Sequence, residues 1–179
     1  MTMLGLERGV VRLATHDERW HGLFAEEAER LRAAAGEYVL AVEHVGSTAV
    51  CGLSAKPVID IAVAVREIKD AGKCVAPLRR IGYEYRGEQG IPGRHYFVKG
   101  VPRTHHLHML ESSSDVWRNH LLFRDYLLRH RGAAEEYEEL KKGLAEKYSD
   151  NREAYTEGKA AFIEGVLRAA RGDLLTRFD

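Results

Sequence analysis

The chain has 179 residues, of which 27 are basic and 27 acidic, so its formal charge is zero; 45% of residues are hydrophobic and 30% charged. These are the proportions of an ordinary globular domain, and the balance offers no overall attraction to a polyanion, so a nucleic acid is not the expected partner. The start of the chain lacks the apolar core and small-residue cleavage site of a secretory signal, and no run approaches the roughly 18 apolar residues of a membrane span. The expectation is a soluble, cytoplasmic protein with no membrane partner. Two cysteines, Cys51 and Cys74, make no disulfide framework and lack the spacing of a zinc site, so both read as reduced, partly buried thiols.

Along the chain, Val10–Leu13 reads as a short edge strand or an extended lead-in. Thr15 or Asp17 caps a helix running to about Ala35, with Trp20, Phe24, Ala28 and Leu31 on one face, and Gly36 ends it. Tyr38–Val45 is rich in β-formers and reads as a strand. Val58–Val65 reads as a second strand, its near-continuous apolarity pointing to burial on both faces. Ile68, Ala71, Val75 and Leu78 mark an amphipathic helix closed near Gly82. Tyr83–Arg86, Arg94–Lys99 and His105–Leu110 read as three more strands, separated by turns containing Gly and Pro. Beyond Ser112–Asp115, which supply caps, the pattern is helical. Trp117, Leu121 and Leu128 mark one helix, Tyr137, Leu140 and Leu144 a second, and Tyr155, Phe162, Ile163, Val166 and Leu167 a third. The predicted fold class is α+β: a small mixed β-sheet flanked by helices over about 1–111, with a helical C-terminal third over about 112–179 packed on it in a single domain.

Chemistry concentrates between Glu43 and Val65. Asp60 lies within an apolar strand, and burying a carboxylate there is costly unless it meets a cation or hydrogen-bond donors. Alternation puts Asp60 on the face of Val58, Ala62 and Ala64, whose small side chains leave room for a ligand, and puts Ile59, Ile61, Val63 and Val65 on the other. The Gly46-Ser47-Thr48 turn follows one strand and precedes the next, and its backbone N–H groups and hydroxyls can meet an anion. Lys56 either reaches a phosphate or is solvated. Arg94 is a candidate anion clamp, and His95 points to the opposite face. In His105-His106-Leu107-His108, His106 and His108 share a face about 6.5–7 Å apart along a strand. If that strand neighbours the one bearing Asp60, two imidazoles and a carboxylate converge, a set suited to a divalent metal or to proton transfer. Arg124, Asp125, Lys141 and Lys159 on the C-terminal helices read as solvated or paired charges, any basic one of which could line the cleft.

These residues carry a resemblance. His44-Val45-Gly46-Ser47-Thr48, Val50-Cys51-Gly52-Leu53, Ala55-Lys56-Pro57-Val58-Ile59-Asp60-Ile61, Gly93-Arg94, His106-Leu107-His108 and Phe123-Arg124-Asp125-Tyr126-Leu127 resemble the GrpB family of the nucleotidyltransferase-fold superfamily. That family is itself similar to a C-terminal domain fused to dephospho-CoA kinase in some bacteria. The resemblance spans essentially the whole chain, with Cys51 standing where the family usually has proline. It implies a nucleotidyltransferase-like sheet in which the turn around His44, Gly46, Ser47 and Thr48, with Lys56 and Arg94, holds nucleotide phosphates. It also implies a divalent metal, Mg²⁺ or Mn²⁺ or, with imidazole ligands, Zn²⁺, at Asp60, His106 and His108, which would be the catalytic residues. In the wider superfamily two carboxylates spaced i, i+2 hold the metals; here Asp60 matches the first and Ala62 occupies the second position. The implied function is metal-dependent nucleotidyl transfer from a nucleoside triphosphate to an acceptor the sequence does not identify. Two alternatives follow it: a non-catalytic module binding a nucleotide, a CoA precursor or another phosphorylated small molecule, and a metal- or histidine-dependent phosphoester hydrolase.

Overall fold

In the computed structural model, which describes residues 4–175, the first helix, α1 (Arg19–Ala35), starts where Asp17 Oδ1 accepts a hydrogen bond from the Arg19 backbone N–H at 3.1 Å. Of the two expected caps, Asp17 is the one used. The chain then forms β1 (Val39–Val45), a single 3₁₀ turn (Ser47–Ala49), β2 (Ile59–Val65), α2 (Ile68–Arg80), β3 (Tyr83–Tyr85), β4 (His95–Lys99) and β5 (His105–Glu111). Four helices follow: α3 (Asp115–Arg129), α4 (Arg131–Lys147), α5 (Arg152–Glu157) and α6 (Ala160–Leu175).

The five strands make one mixed sheet in the order β1-β2-β5-β4-β3, with β2 and β5 parallel and every other pair antiparallel. β2 is therefore interior and covered on both faces, which accounts for its unbroken apolar run. One face packs Ile59, Ile61, Val63, Val65, Leu107 and Met109 against Trp20, Leu31 and Leu78 of α1 and α2. Trimming any of these fully buried large side chains to Ala costs about 2–5 kcal/mol. The other face packs Val45, Ala62, Ala64 and Leu110 under Trp117 of α3. A third cluster, with Val50, Leu53, Leu127, Tyr137 and Val166, joins the segment after the 3₁₀ turn to the C-terminal helices. Ser114 caps α3 by accepting from Trp117 N, as its position implies, and Glu111 Oε2 accepts from Ile68 N at the start of α2.

One alternative is resolved and three local expectations change. Of its two expected forms, Val10–Leu13 takes the extended lead-in, and among the described residues isolated bridges form at Leu6–Arg103 and Ala14–Ala55. The expected third C-terminal helix is two, α5 with Tyr155 and α6 with Phe162 and Val166, broken at Gly158 and Lys159. A side chain at Gly158 would stand 2.5 Å from Leu144 Cδ2, so the glycine lets this corner pack onto α4. On α3, Leu127 is buried while Leu128 is exposed, because Leu127 packs into the third cluster with Val50, Leu53, Tyr137 and Val166. Cys74 is buried as expected, but Cys51 is exposed.

Candidate active site

Asp60 on β2 and His106 on β5 are direct neighbours in the parallel register, and Ala62 pairs with His108 one step further. Equal parity places all three polar side chains on one face. His106 Nδ1 lies 3.0 Å from Asp60 Oδ1, and His108 Nε2 lies 3.8 Å from the same oxygen. With 32% of its side chain exposed, Asp60 faces an open cleft and not the core. Burial alone would push its carboxyl up, but the hydrogen bond from His106 and the nearby His108 ring outweigh that and hold it well below the usual carboxylate range. His106 is lowered in turn, its burial outweighing the attraction of Asp60, so the pair at neutral pH is a carboxylate and a neutral imidazole.

The tautomers follow from the neighbours. Arg94 Nη1, which can only donate, lies 3.3 Å from His108 Nδ1, so that nitrogen accepts and Nε2 carries the proton facing Asp60. His106 donates through Nδ1 to the carboxylate, leaving Nε2 as its open acceptor. Three more Arg94 donors are committed to a loop: Nε to Glu88 O at 3.1 Å, and Nη2 to Glu88 O and Gln89 O at 2.9 Å each. Arg94 thus orients His108 and ties down the loop before β4 with four of its five N–H groups, which leaves one Nη1 N–H for an anion in place of the bidentate clamp expected. Tyr96 packs beside both imidazoles, with ring centroids 5.7 Å from His106 and 5.2 Å from His108. His120 of α3 closes the far side at 4.9 Å from His108, its own pKa pushed down to about 3 by burial and by His108.

The turn meets Asp60 from β1. Gly46 adopts φ +70° and ψ −170°, a backbone region open only to glycine. Ser47 lies near the Tyr137 side chain and acts on its hydroxyl. His44 and Thr48 have supporting places. His44 pairs with Ile61, so it lies on the α1 side of the sheet, stacked on Phe24 with centroids 4.7 Å apart. Its Nε2 bonds Thr48 Oγ1 at 2.9 Å, and burial pushes its pKa down to about 4. The pair braces the turn from behind and does not face the cleft.

Cations gather beside Asp60. Lys56 Nζ and Lys159 Nζ both sit over the Tyr155 ring, 5.1 and 4.5 Å from its centroid. Arg152 stands near the Tyr96 side chain and acts electrostatically on it and on Lys56, Lys159 and His106. Burial first, then these neighbouring charges, push Lys56 down and Lys159 down to about 8. Behind them Lys141 donates to Ser54 O and is pushed down to about 7 by burial and by Lys159. Among the described residues, the carboxylate acting on Lys56 and Lys159 is Asp60 itself. A narrow cavity lined by Arg8, Lys56, Arg103, Arg152 and His106 opens at this end. The sequence left Lys159 and Lys141 unselected, read Tyr155 only as a helix marker, and missed Arg152, Arg103, Tyr96 and His120 altogether. All but Arg103, Tyr96 and His120 come from helices α4 and α5 or the break after α5, whose docking no local pattern encodes.

The expected metal set of Asp60, His106 and His108 does not close in this arrangement. Among the described residues, the three do not bring one donor each within 4.8 Å of one another, and both imidazoles turn N–H groups toward the carboxylate. An ion bound by all three would have to displace ring protons held in place by Arg94 and Asp60. Asp60 alone remains a carboxylate that could add to the coordination of a metal already bound to phosphates.

The GrpB protein family model matches residues 10–169. The chain is 40% identical over 171 residues to the glutamate-rich protein GrpB of Alkalihalophilus pseudofirmus, covering 92% of this chain and 98% of the relative. It is 41% identical over 162 residues to the UPF0157 protein YqkA of Bacillus subtilis, where the match covers 90% of this chain but only 47% of that longer relative. A more remote likeness, 26% over 191 residues, covers 92% of this chain and 47% of a dephospho-CoA kinase of Mycolicibacterium paratuberculosis. Among solved structures, the conserved protein GrpB from Enterococcus faecalis superposes with a TM-score of 0.85 at 38% identity, covering 92% of this chain and 99% of that one. With family model, full-length relative and superposed fold in agreement, the chain belongs to the GrpB family.

Proposed function

We propose that the cleft binds the metal complex of a nucleoside triphosphate and transfers its nucleotidyl group to an acceptor hydroxyl. The observation that carries this reading is the crowding of Lys56 and Lys159, both desolvated, and of Arg152 beside them, against one ionised carboxylate. Like charges held together at a cost to stability are what a polyanionic ligand repays. In the proposed pose the β- and γ-phosphates lie against these three cations and the Ser47 turn. Asp60 adds its carboxylate to the Mg²⁺ or Mn²⁺ that arrives on the phosphates, and that ion spreads the charge building on the phosphate oxygens.

His106, neutral and held through Nδ1 by Asp60, offers Nε2 to the acceptor hydroxyl. The hydroxyl oxygen bonds the α-phosphorus, the bond from that phosphorus to the bridging oxygen breaks, and the hydroxyl proton passes to His106 Nε2. Pyrophosphate leaves with its charge met by Lys56, Lys159 and Arg152. Asp60 and His106 are thus the catalytic pair, and His108, set by Arg94, is a positioning residue.

A second reading, a nucleotide- or CoA-precursor-binding module without turnover, is favoured by Ala62. It is fully buried between Val45, Ala64 and Trp117, so β2 carries no second carboxylate two residues after Asp60. The deciding assay incubates the protein with the four ribonucleoside triphosphates, Mg²⁺ or Mn²⁺ and a panel of hydroxyl acceptors, and follows pyrophosphate. Release that disappears in Asp60→Asn and His106→Gln supports transfer. Binding without pyrophosphate release selects the module. Release of inorganic phosphate or nucleoside monophosphate with no labelled acceptor selects hydrolysis.

A further inference from the structure

A second cluster of donors lies on the other side of the Gly46–Thr48 turn, away from the cleft. One donor atom from each of His16, His21 and Cys51 lies within 4.8 Å of the other two, the only such group of His, Cys, Asp or Glu among the described residues. His16 precedes α1, His21 is in its first turn, and Cys51 follows the 3₁₀ turn. These residues are far apart in the sequence, and docking of the turn onto α1 assembles them. The Cys51 sulfur and His21 Nε2 are 3.6 Å apart. Zinc bonds of about 2.3 Å to sulfur and about 2.1 Å to nitrogen, at a tetrahedral angle, place the two donors about 3.6 Å apart.

We propose that His16, His21 and Cys51 form a binding site for a soft divalent cation of the zinc class, with its fourth position open to solvent. A thiolate with two imidazoles selects zinc-like ions over Mg²⁺ and Mn²⁺, the ions proposed for the cleft. His21 and Cys51 are exposed, so an ion and a fourth ligand can approach without opening the fold. His16 carries a buried Nδ1 with no hydrogen-bond partner, so the protein does not satisfy that ring by itself. On binding, the Cys51 thiol releases its proton to solvent and the sulfur–metal bond takes its place. The ion would also stiffen the phosphate turn from behind, because His21 packs edge-on against His44 at 5.2 Å and His44 holds Thr48.

Cobalt(II) is the probe, since thiolate ligation gives a near-ultraviolet charge-transfer band and tetrahedral ligation gives visible bands. One equivalent added to the reduced full-length protein should produce both, and equimolar Zn²⁺ should erase them. Cys51→Ser should abolish the near-ultraviolet band. It should also weaken Zn²⁺ binding by more than the roughly 10–100-fold typical of losing a group behind a ligand. His21→Gln and His16→Gln should each weaken it, while Asp60→Asn should leave band and affinity unchanged, separating this site from the cleft. Circular dichroism of each variant excludes loss of the fold. No thiolate band in the wild type, a band that survives Cys51→Ser, or a band indifferent to the double substitution of His16 and His21 would overturn the assignment.

Discussion

Gly46 and Asp60 are in contact: a β-carbon on the glycine would stand 2.8 Å from Asp60 Oδ2 and 3.1 Å from Asp60 Cβ. The turn approaches the carboxylate closely only because that carbon is missing, and the positive φ is tolerated for the same reason. The two features read from separate stretches of sequence therefore form one unit.

Gly46→Ala should consequently do double damage. Backbone strain of this kind costs about 1–3 kcal/mol, and relief requires moving either the turn or Asp60. Thermal unfolding should shift down by several degrees, and nucleotide binding measured by calorimetry should fall even at temperatures where the variant is folded. A variant with wild-type affinity would show that the contact does not shape the site.

Lys159→Met should trade stability against binding. Holding a lysine at about 8, against an ordinary value near 10.5, costs on the order of 3 kcal/mol at neutral pH. Methionine removes that penalty while keeping most of the packing on Tyr155. The melting temperature should rise while triphosphate affinity drops at least about tenfold, or about 1.4 kcal/mol. The sign with pH is definite: the folded pKa lies below the unfolded one, so the penalty is full below about 8 and lifts as pH rises toward 10.5. The stabilisation by Met should therefore shrink between pH 8 and 10.

Triphosphate binding should itself weaken in alkali. Lys159 loses its proton through about pH 8 in the free protein, and an anion binds the charged form. Calorimetry from pH 6.5 to 9 should give a falling affinity that flattens in Lys159→Met. A flat wild-type profile would remove Lys159 from the phosphate site.

Acid should unfold the protein through its buried histidines. Burial holds His44 and His105 at about 4, against 6.5 for the free side chain. The unfolded chain therefore binds more protons between these values, and stability falls as pH drops from about 6.5 toward 4. Each contributes a loss of about 1–2 kcal/mol by pH 5. His105 is on the α1 and α2 side of the sheet, bonded to Thr104 Oγ1 at 2.9 Å and remote from the catalytic proton path. His105→Gln should make the acid limb of a stability–pH curve shallower, and an unchanged limb would assign the acid loss elsewhere.

What was legible in the sequence was local. The period of two in β2 and β5 put Asp60 on one face and His106 and His108 together on theirs. The glycine, serine and threonine run declared a turn, and the helical spacing of Trp20, Phe24, Ala28 and Leu31 declared α1. These follow from backbone geometry within a few residues. Tertiary structure decided how the pieces were used. Strand register brought Asp60 beside His106 and put His44 behind the sheet. Carbonyls of Glu88 and Gln89 claimed three of the donors of Arg94. Docking of α4, α5 and the corner before α6 chose Lys141, Arg152 and Lys159 from a surface rich in interchangeable charges, and packing of the turn on α1 joined Cys51 to His16 and His21. A charged helix face looks the same in sequence whether it meets water or a cleft. Only long-range packing, driven by apolar surfaces on the opposite side of each helix, determines which of its charges are desolvated.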